Sequence, residues 1–225
     1  MMRRPAMVLI DLDGTLIDSV PDLAYCVDEL MARLGRPPWG EAKVRTWVGN
    51  GVERLVKRAL TGTMDSEPEP EAFSRALPLF LALYKENVSV RSRLYPGVME
   101  GLKRLVGEGM TLACVTNKAE AFTVPLLKDL GIFDFFELVV SGDSTPKKKP
   151  DPLPLLHASE RLNVPAADSM MVGDSVNDVK AARAAGFAVV CVPYGYNHGR
   201  DITEAHPDAV VDRLDRLPDL FDAPV

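Results

Sequence analysis

The chain has 225 residues, 47% hydrophobic and 26% charged, a composition that suits a soluble globular protein with room for one full domain and a smaller insert. Its net charge of −6 argues against nucleic acid or an anionic membrane as partner, since both need a basic face, and no stretch is long enough to span a bilayer. Cys26, Cys114 and Cys191 are far apart with no metal-ligand spacing; Cys114 and Cys191 lie inside apolar runs and read as buried small hydrophobes, and the lack of a disulfide framework fits a reducing cytoplasm.

Arg3-Arg4 reads as a solvated tail. Residues 6–10 (Ala-Met-Val-Leu-Ile) then form a continuous apolar run that stops at Asp11, the pattern of a short strand buried on both faces. Residues 19–90 offer no convincing strand. Helical patterns are expected at 21–34, 41–48, 52–60 and 71–87, with Leu23, Val27, Leu30 and Leu34 on one face of the first. Residues 61–70, rich in Glu, Pro and Ser, read as a loop.

From residue 97 onward helix and strand alternate. Helices are expected at 97–108, 119–130, 152–162 and 176–185, with Gly109, Gly131 and Gly186 as stops and Pro152 in a first turn. Strands are expected at 111–116, 138–141, 170–173 and 188–192, with a weak one at 209–211. This alternation predicts an α/β fold, a doubly wound parallel sheet (Rossmann-like) formed by residues 1–18 and 91–225, with an inserted all-helical cap domain at 19–90. Sites in such sheets lie at the carboxyl ends of the strands, where Asp11, Thr116, Ser141 and Asp174 all fall.

The strongest motif is Asp11-Leu12-Asp13-Gly14-Thr15. Two carboxylates two positions apart on a strand point the same way and repel, unless a cation or a shared proton offsets them. Gly173-Asp174-Ser175-Val176-Asn177-Asp178 closes a later strand and brings Asp174 to the same cleft. Oxygen ligands of this kind suit Mg²⁺, and nothing supplies the His or Cys set that zinc prefers. Read blandly, Ser175 or Asp174 caps the following helix and Asp178 is a first-turn charge. Thr116-Asn117 precedes a helix, where a hydroxyl and backbone N–H groups make an anion site or a plain cap. In Lys147-Lys148-Lys149-Pro150 the prolines single out Lys149 as the lysine held in a fixed turn.

In this order, Asp11-x-Asp13-Gly14-Thr15, Thr116-Asn117, Lys149-Pro150 and Gly173-Asp174-Ser175-x-x-Asp178 resemble the four motifs of the haloacid dehalogenase superfamily of phosphatases. Leu16-Ile17-Asp18-Ser19, Trp47-Val48-Gly49-Asn50-Gly51 and Tyr194-Gly195-Tyr196-Asn197 resemble segments of its phosphoglycolate phosphatases. The resemblance implies that Asp11 is a nucleophile forming an aspartyl phosphate and that Asp13 is the general acid and then base. It implies Mg²⁺ held by Asp11, Asp174 and the backbone carbonyl of Asp13, with Asp178 as a possible support. Thr116, the backbone around Asn117, and Lys149 would hold phosphate oxygens. The implied partner is a small phosphorylated metabolite, bound by a monomer or homodimer. Asn50, between flexible glycines, is expected close to the substrate, with Arg45, Arg54, Lys57 and Arg58 as charge partners or a solvated basic face. His157, His198 and His206 carry no assigned chemistry.

Rival readings share parts of this set. A dehalogenase needs neither an acid at Asp13 nor Mg²⁺; a sugar-phosphate mutase or a pyrophosphatase shares the whole set; a non-catalytic phosphometabolite sensor would keep only the anion pocket.

Overall fold

Strand β1 (Met7–Ile10) has every residue at 0% exposure, so its four apolar side chains divide between two cores. Val8 and Ile10 face one side of the sheet, Met7 and Leu9 the other, as the two-residue period of a strand requires. The structure, a computed structural model, describes residues 2–221.

The remaining strands are β2 (Ile17–Asp18), β3 (Arg93–Leu94), β4 (Thr111–Val115), β5 (Leu138–Val140), β6 (Ser169–Gly173), β7 (Ala188–Cys191) and β8 (Ala209–Val210). Six of them form one parallel sheet in the order β5-β4-β1-β6-β7-β8. The chain moves outward from β1 on one side and returns to its other side at β6, which makes β1 the point where strand order reverses and a crevice opens. The expected α/β parallel sheet is observed.

Helices α1 (Val20–Arg33), α2 (Glu41–Arg45), α3 (Val52–Thr61) and α4 (Pro70–Glu86) lie between β2 and β3. Helices α5 (Val98–Gly107), α6 (Glu120–Asp129), α7 (Leu153–Leu162) and α8 (Val176–Ala185) connect the sheet strands. Leu102, Leu105, Leu126 and Leu127 of α5 and α6 pack on the Ile10 face; Leu155, Ala158, Val179 and Ala182 of α7 and α8 pack on the Leu9 face. Small alanines let α8 approach the sheet closely, and Gly186 ends it in the left-handed conformation (φ 76°) that glycine adopts without a Cβ penalty.

Several local expectations are corrected. The second helix stops at Arg45 and not at 48, because Val44, Trp47 and Val48 are buried and the chain turns to bury the last two. The short antiparallel pair β2–β3, Ile17 opposite Leu94 and Asp18 opposite Arg93, was not legible: two-residue strands carry no periodicity. Arg3 is solvated as expected, though 2.7 Å from Asp168, while Arg4 is half-buried against Glu108 at 3.3 Å. All three cysteines are buried and unpaired. Among the described residues no helix is long and apolar enough to cross a membrane.

Asp22, fully buried in the first turn of α1, ties the two connections between helical insert and sheet together. It accepts hydrogen bonds from the backbone N–H of Arg91 (2.9 Å) and Ser92 (2.8 Å) and from the Ser92 hydroxyl (2.7 Å). Its contact with the Arg91 guanidinium is longer, at 3.3 Å, and Arg91 is 39% exposed. Asp22→Ala leaves buried donors unsatisfied and is expected to cost about 2–4 kcal/mol. Arg91→Ala, which removes only a half-solvated charge, is expected to cost less than about 1 kcal/mol. Urea denaturation of both variants checks the difference; equal losses would show that the charge pair and not the backbone clasp matters.

Candidate active site

The carboxyl ends of β1, β4 and β6 converge. Beyond the last residue of β1, the Asp11 N–H still donates to the Val172 carbonyl of β6 at 2.9 Å, so the ladder fixes the Asp11 backbone. Its Oδ1 accepts from the Leu12 N–H at 2.7 Å and stands 2.9 Å from Lys149 Nζ. Lys149 is 3% exposed. It also reaches Asp178 Oδ1 at 2.7 Å and donates to the Val115 carbonyl at 2.6 Å. Of the three consecutive lysines it alone is buried; Lys147 and Lys148 are exposed.

Asp11, Asp174 and Asp178 each place a carboxylate oxygen within 4.8 Å of the others. Asp174 is held by the Thr15 hydroxyl (3.0 Å) and the Tyr196 N–H (2.7 Å). Glycines make room for it. A Cβ on Gly14, whose φ is +90°, would sit 2.3 Å from Asp174 Oδ2, and one on Gly195 2.2 Å away. Asp178 spends Oδ1 on Lys149 and Oδ2 on the N–H (3.1 Å) and hydroxyl (2.6 Å) of Ser175. Both readings of this residue therefore apply: it closes the first turn of α8 as a capping residue does, and it anchors the buried lysine.

One lysine does not balance three buried carboxylates. Burial raises the Asp11 pKa, Lys149 lowers it and Asp178 raises it, and the net shift is upward. Burial, then Asp178 and Asp11, raise the Asp174 pKa well above the usual carboxylate range. On Lys149, burial favours the neutral amine, but Asp11 and Asp178 outweigh it and raise its pKa. The cluster is short of positive charge and presents only oxygen donors, which fits a hard divalent cation.

Asp13 does not join this cluster. Its carboxylate turns to the other wall, where Lys118 Nζ donates to both oxygens at 3.1 Å and the Ser19 hydroxyl donates at 2.6 Å. Asp11 and Asp13 both line one cavity, as the expected same-side pointing requires, but Asp13 is paired with Lys118 and not with the Asp11 cluster. Lys118, 4% exposed, also donates to the Tyr84 hydroxyl of α4. Burial opposes its charge, but Asp13 and Tyr84 raise its pKa. Sequence reasoning missed Lys118 and Tyr84. The available signal was a lysine directly after Thr116-Asn117, inside a strand-to-helix turn that had to be buried.

Thr116 and Asn117 are buried between β4 and α6, but α6 starts only at Glu120 and its first N–H is capped by Asp143 Oδ1 at 2.9 Å. Thr116 is therefore not the helix cap. Asn117 clasps Lys149 in both directions: its Oδ1 accepts from the Lys149 N–H and its Nδ2 donates to the Lys149 carbonyl, each at 2.9 Å. The same Nδ2 reaches the Gly49 carbonyl of the insert at 3.0 Å.

A cavity of about 30 Å³ lies over these groups. Asp11, Asp13, Thr116, Asn117 and Lys118 line its floor; Leu23, Val48, Gly49, Gly51, Val52 and Leu55 of the insert line its roof. Asn50, expected close to the substrate, instead turns its amide oxygen to Arg58 Nη2 at 2.9 Å, leaving the glycines on either side to face the cavity. Arg45 pairs with Asp18 and Glu41, Arg54 with Asp65 and Glu67, and Lys57 with Glu67, so these three are half-buried charges neutralised by acids and none of them lines the cavity.

The segment Tyr194-Gly195-Tyr196-Asn197 acquires clear positions. The Tyr196 hydroxyl accepts from the Ser19 N–H (2.9 Å) and donates to Asp18 Oδ1 (2.7 Å), while its backbone holds Asp174. Tyr194 donates to the Thr15 carbonyl at 2.9 Å, and Asn197 Oδ1 accepts from the Val176 N–H at 3.0 Å.

Comparison with known proteins agrees with this geometry. Residues 6–186 match the model of the haloacid dehalogenase-like hydrolases. The chain is 57% identical over 221 residues to a phosphoglycolate phosphatase of Nitrosococcus oceani, covering 98% of each. It is 56% identical over 207 residues to one of Thiobacillus denitrificans, covering 92% of this chain and 91% of that one. The crystal structure of a predicted phosphoglycolate phosphatase from Haemophilus somnus superposes with a TM-score of 0.91 at 35% identity, covering 98% of this chain and 99% of that one. With four motifs meeting at one sheet edge and a family match over most of its length, the chain belongs to the haloacid dehalogenase-like hydrolases.

Proposed function

We propose that this chain is a phosphoglycolate phosphatase, hydrolysing 2-phosphoglycolate to glycolate and phosphate. The observation that carries the reading is that Asp11 and Asp13 line one cavity, each gripped by its own buried lysine. Two carboxylates in different environments can take two roles. The names of the relatives, at 57% and 56% identity, support the substrate.

In this reading Asp11 attacks phosphorus and forms an aspartyl phosphate. Asp13 delivers a proton to the leaving oxygen, then takes one from the water that hydrolyses the phosphoenzyme. Lys118 and Ser19 hold the Asp13 carboxyl for both steps. Lys149, Thr116 and the backbone around Asn117 hold the phosphate oxygens, with Lys149 placed by Asn117 and Asp178. Asp11, Asp174 and the Asp13 carbonyl would hold Mg²⁺, whose charge lets an anionic phosphate approach an anionic nucleophile. Asp178, with both oxygens already engaged, supports Lys149.

Residues 19–90 serve as the cap. The cavity is walled by the sheet edge on one side and the insert on the other, so opening of the insert would admit substrate and closure would exclude water. Lys118, the one cation lining the cavity among the described residues, is placed to attract the substrate carboxylate as well as Asp13. The three free, buried cysteines suit work in a reducing cytoplasm.

Asp11→Asn is expected to keep its fold and lose at least about 10³-fold in phosphate release from 2-phosphoglycolate; a folded variant with normal turnover would refute the nucleophile. Lys118→Met is expected to lower kcat by about 10²-fold or more, and an unchanged kcat would remove the role given to the Asp13 clasp. After metal stripping, activity should vanish in excess chelator and return with Mg²⁺. A panel of 2-phosphoglycolate, β-glucose 1-phosphate and pyrophosphate, assayed with Mg²⁺, tests the substrate; preference for another member keeps the chemistry and overturns the assignment.

A further inference from the structure

Arg58 of α3 is 4% exposed, yet no carboxylate among the described residues forms a salt bridge with it. Its hydrogen bonds go to neutral acceptors: the Met64 carbonyl at 3.1 Å, the Trp47 carbonyl, and Asn50 Oδ1 at 2.9 Å. A buried cation is costly unless an anion pairs with it. Burial and, to a smaller extent, Arg54 lower its pKa while the nearby Asp65 charge raises it, with a net value of about 10, so it stays charged at neutral pH.

Arg58 opens onto a second cleft, of about 610 Å³, distinct from the catalytic cavity. The segment 46–51 walls both: Thr46 and Trp47 line the cleft, while Val48, Gly49 and Gly51 line the cavity. Lys43 and Arg200 stand on the rim, both exposed, and neither forms a salt bridge among the described residues. Asn177 and Asn197 add amides to the wall. Asp65 is the one carboxylate lining it, and Asp65 lies 3.4 Å from Arg54. Burial lowers the pKa of His198, also on the wall, which leaves three cationic side chains facing one acid. The volume falls in the range of small-molecule sites.

We propose that this cleft is a second anion-binding site that takes a small organic polyanion bearing carboxylate or phosphate groups, with Arg58 at its base and Lys43 and Arg200 at its mouth. The site does not depend on which phosphate ester the catalytic cavity hydrolyses.

The test is calorimetric titration of the full chain, in chelator, with two probes that cannot be turned over: propane-1,2,3-tricarboxylate and methylenediphosphonate. At least one is expected to bind with one-to-one stoichiometry, and the tighter of the two identifies the anionic group preferred. The double variant Lys43→Gln/Arg200→Gln alters only exposed side chains. It is expected to fold normally, to keep its phosphatase activity without probe, and to raise the dissociation constant at least about tenfold. Arg58→Met should do the same if it folds. Lys118→Met, which removes one of the two lysines of the catalytic site, should leave the dissociation constant unchanged. The proposal is overturned if neither probe binds, if the rim variant binds as well as the unaltered chain, or if Lys118→Met abolishes binding.

Discussion

Three carboxylates and one lysine, buried together at the ends of β1 and β6, are the constraint around which the rest of the structure is arranged. Like charges in a poorly solvated place repel, and they persist only where cations and hydrogen-bond donors offset the cost. Each of these side chains has such a partner: Lys149 for Asp11 and Asp178, Thr15 and the Tyr196 N–H for Asp174, Ser175 for Asp178. The partners come from four separate stretches of chain, so the site holds only when the sheet is complete. The remaining deficit of positive charge is what a divalent cation would meet, and it must be met before an anionic substrate can approach.

The second feature is how closely the helical insert is wired to this site. Tyr84 of α4 touches Lys118, Lys118 touches Asp13, and Gly49 is held by Asn117, which also positions Lys149. The Tyr196 hydroxyl sits at the start of α1 while its N–H sits on Asp174. A movement of the insert would therefore reach Asp13, Lys149 and Asp174 through direct hydrogen bonds. An enzyme in which closure completes the site can bind substrate in the open form and react only in the closed one.

The insert also carries charges with two different fates. Arg45, Arg54 and Lys57 pair with acids in half-solvated positions, where each pair adds little stability. Arg58, one turn from Arg54 on the same helix, is buried against carbonyls and an amide. The two arginines share a face of α3, and the difference is that Arg58 is covered by Trp47, Asn50 and Met64, which places it at the base of a large cleft.

Much of the architecture was readable from the sequence because it rests on local patterns. Four-to-five-residue apolar runs ending in Asp11, Thr116 and Asp174 announce buried parallel strands and the edge where polar groups gather, and alternation with amphipathic helices announces the doubly wound sheet. Lys149 was separable from Lys147 and Lys148 by its prolines. Only the tertiary structure decided which groups surround Asp13, because they come from distant stretches of the chain. Only it paired Lys118 with Asp13 and Tyr84, 105 and 34 positions away, and turned Asn50 from the cavity toward Arg58. These are contacts between side chains distant in sequence, chosen by which groups must find a partner once water is excluded, and no periodicity or spacing records that choice.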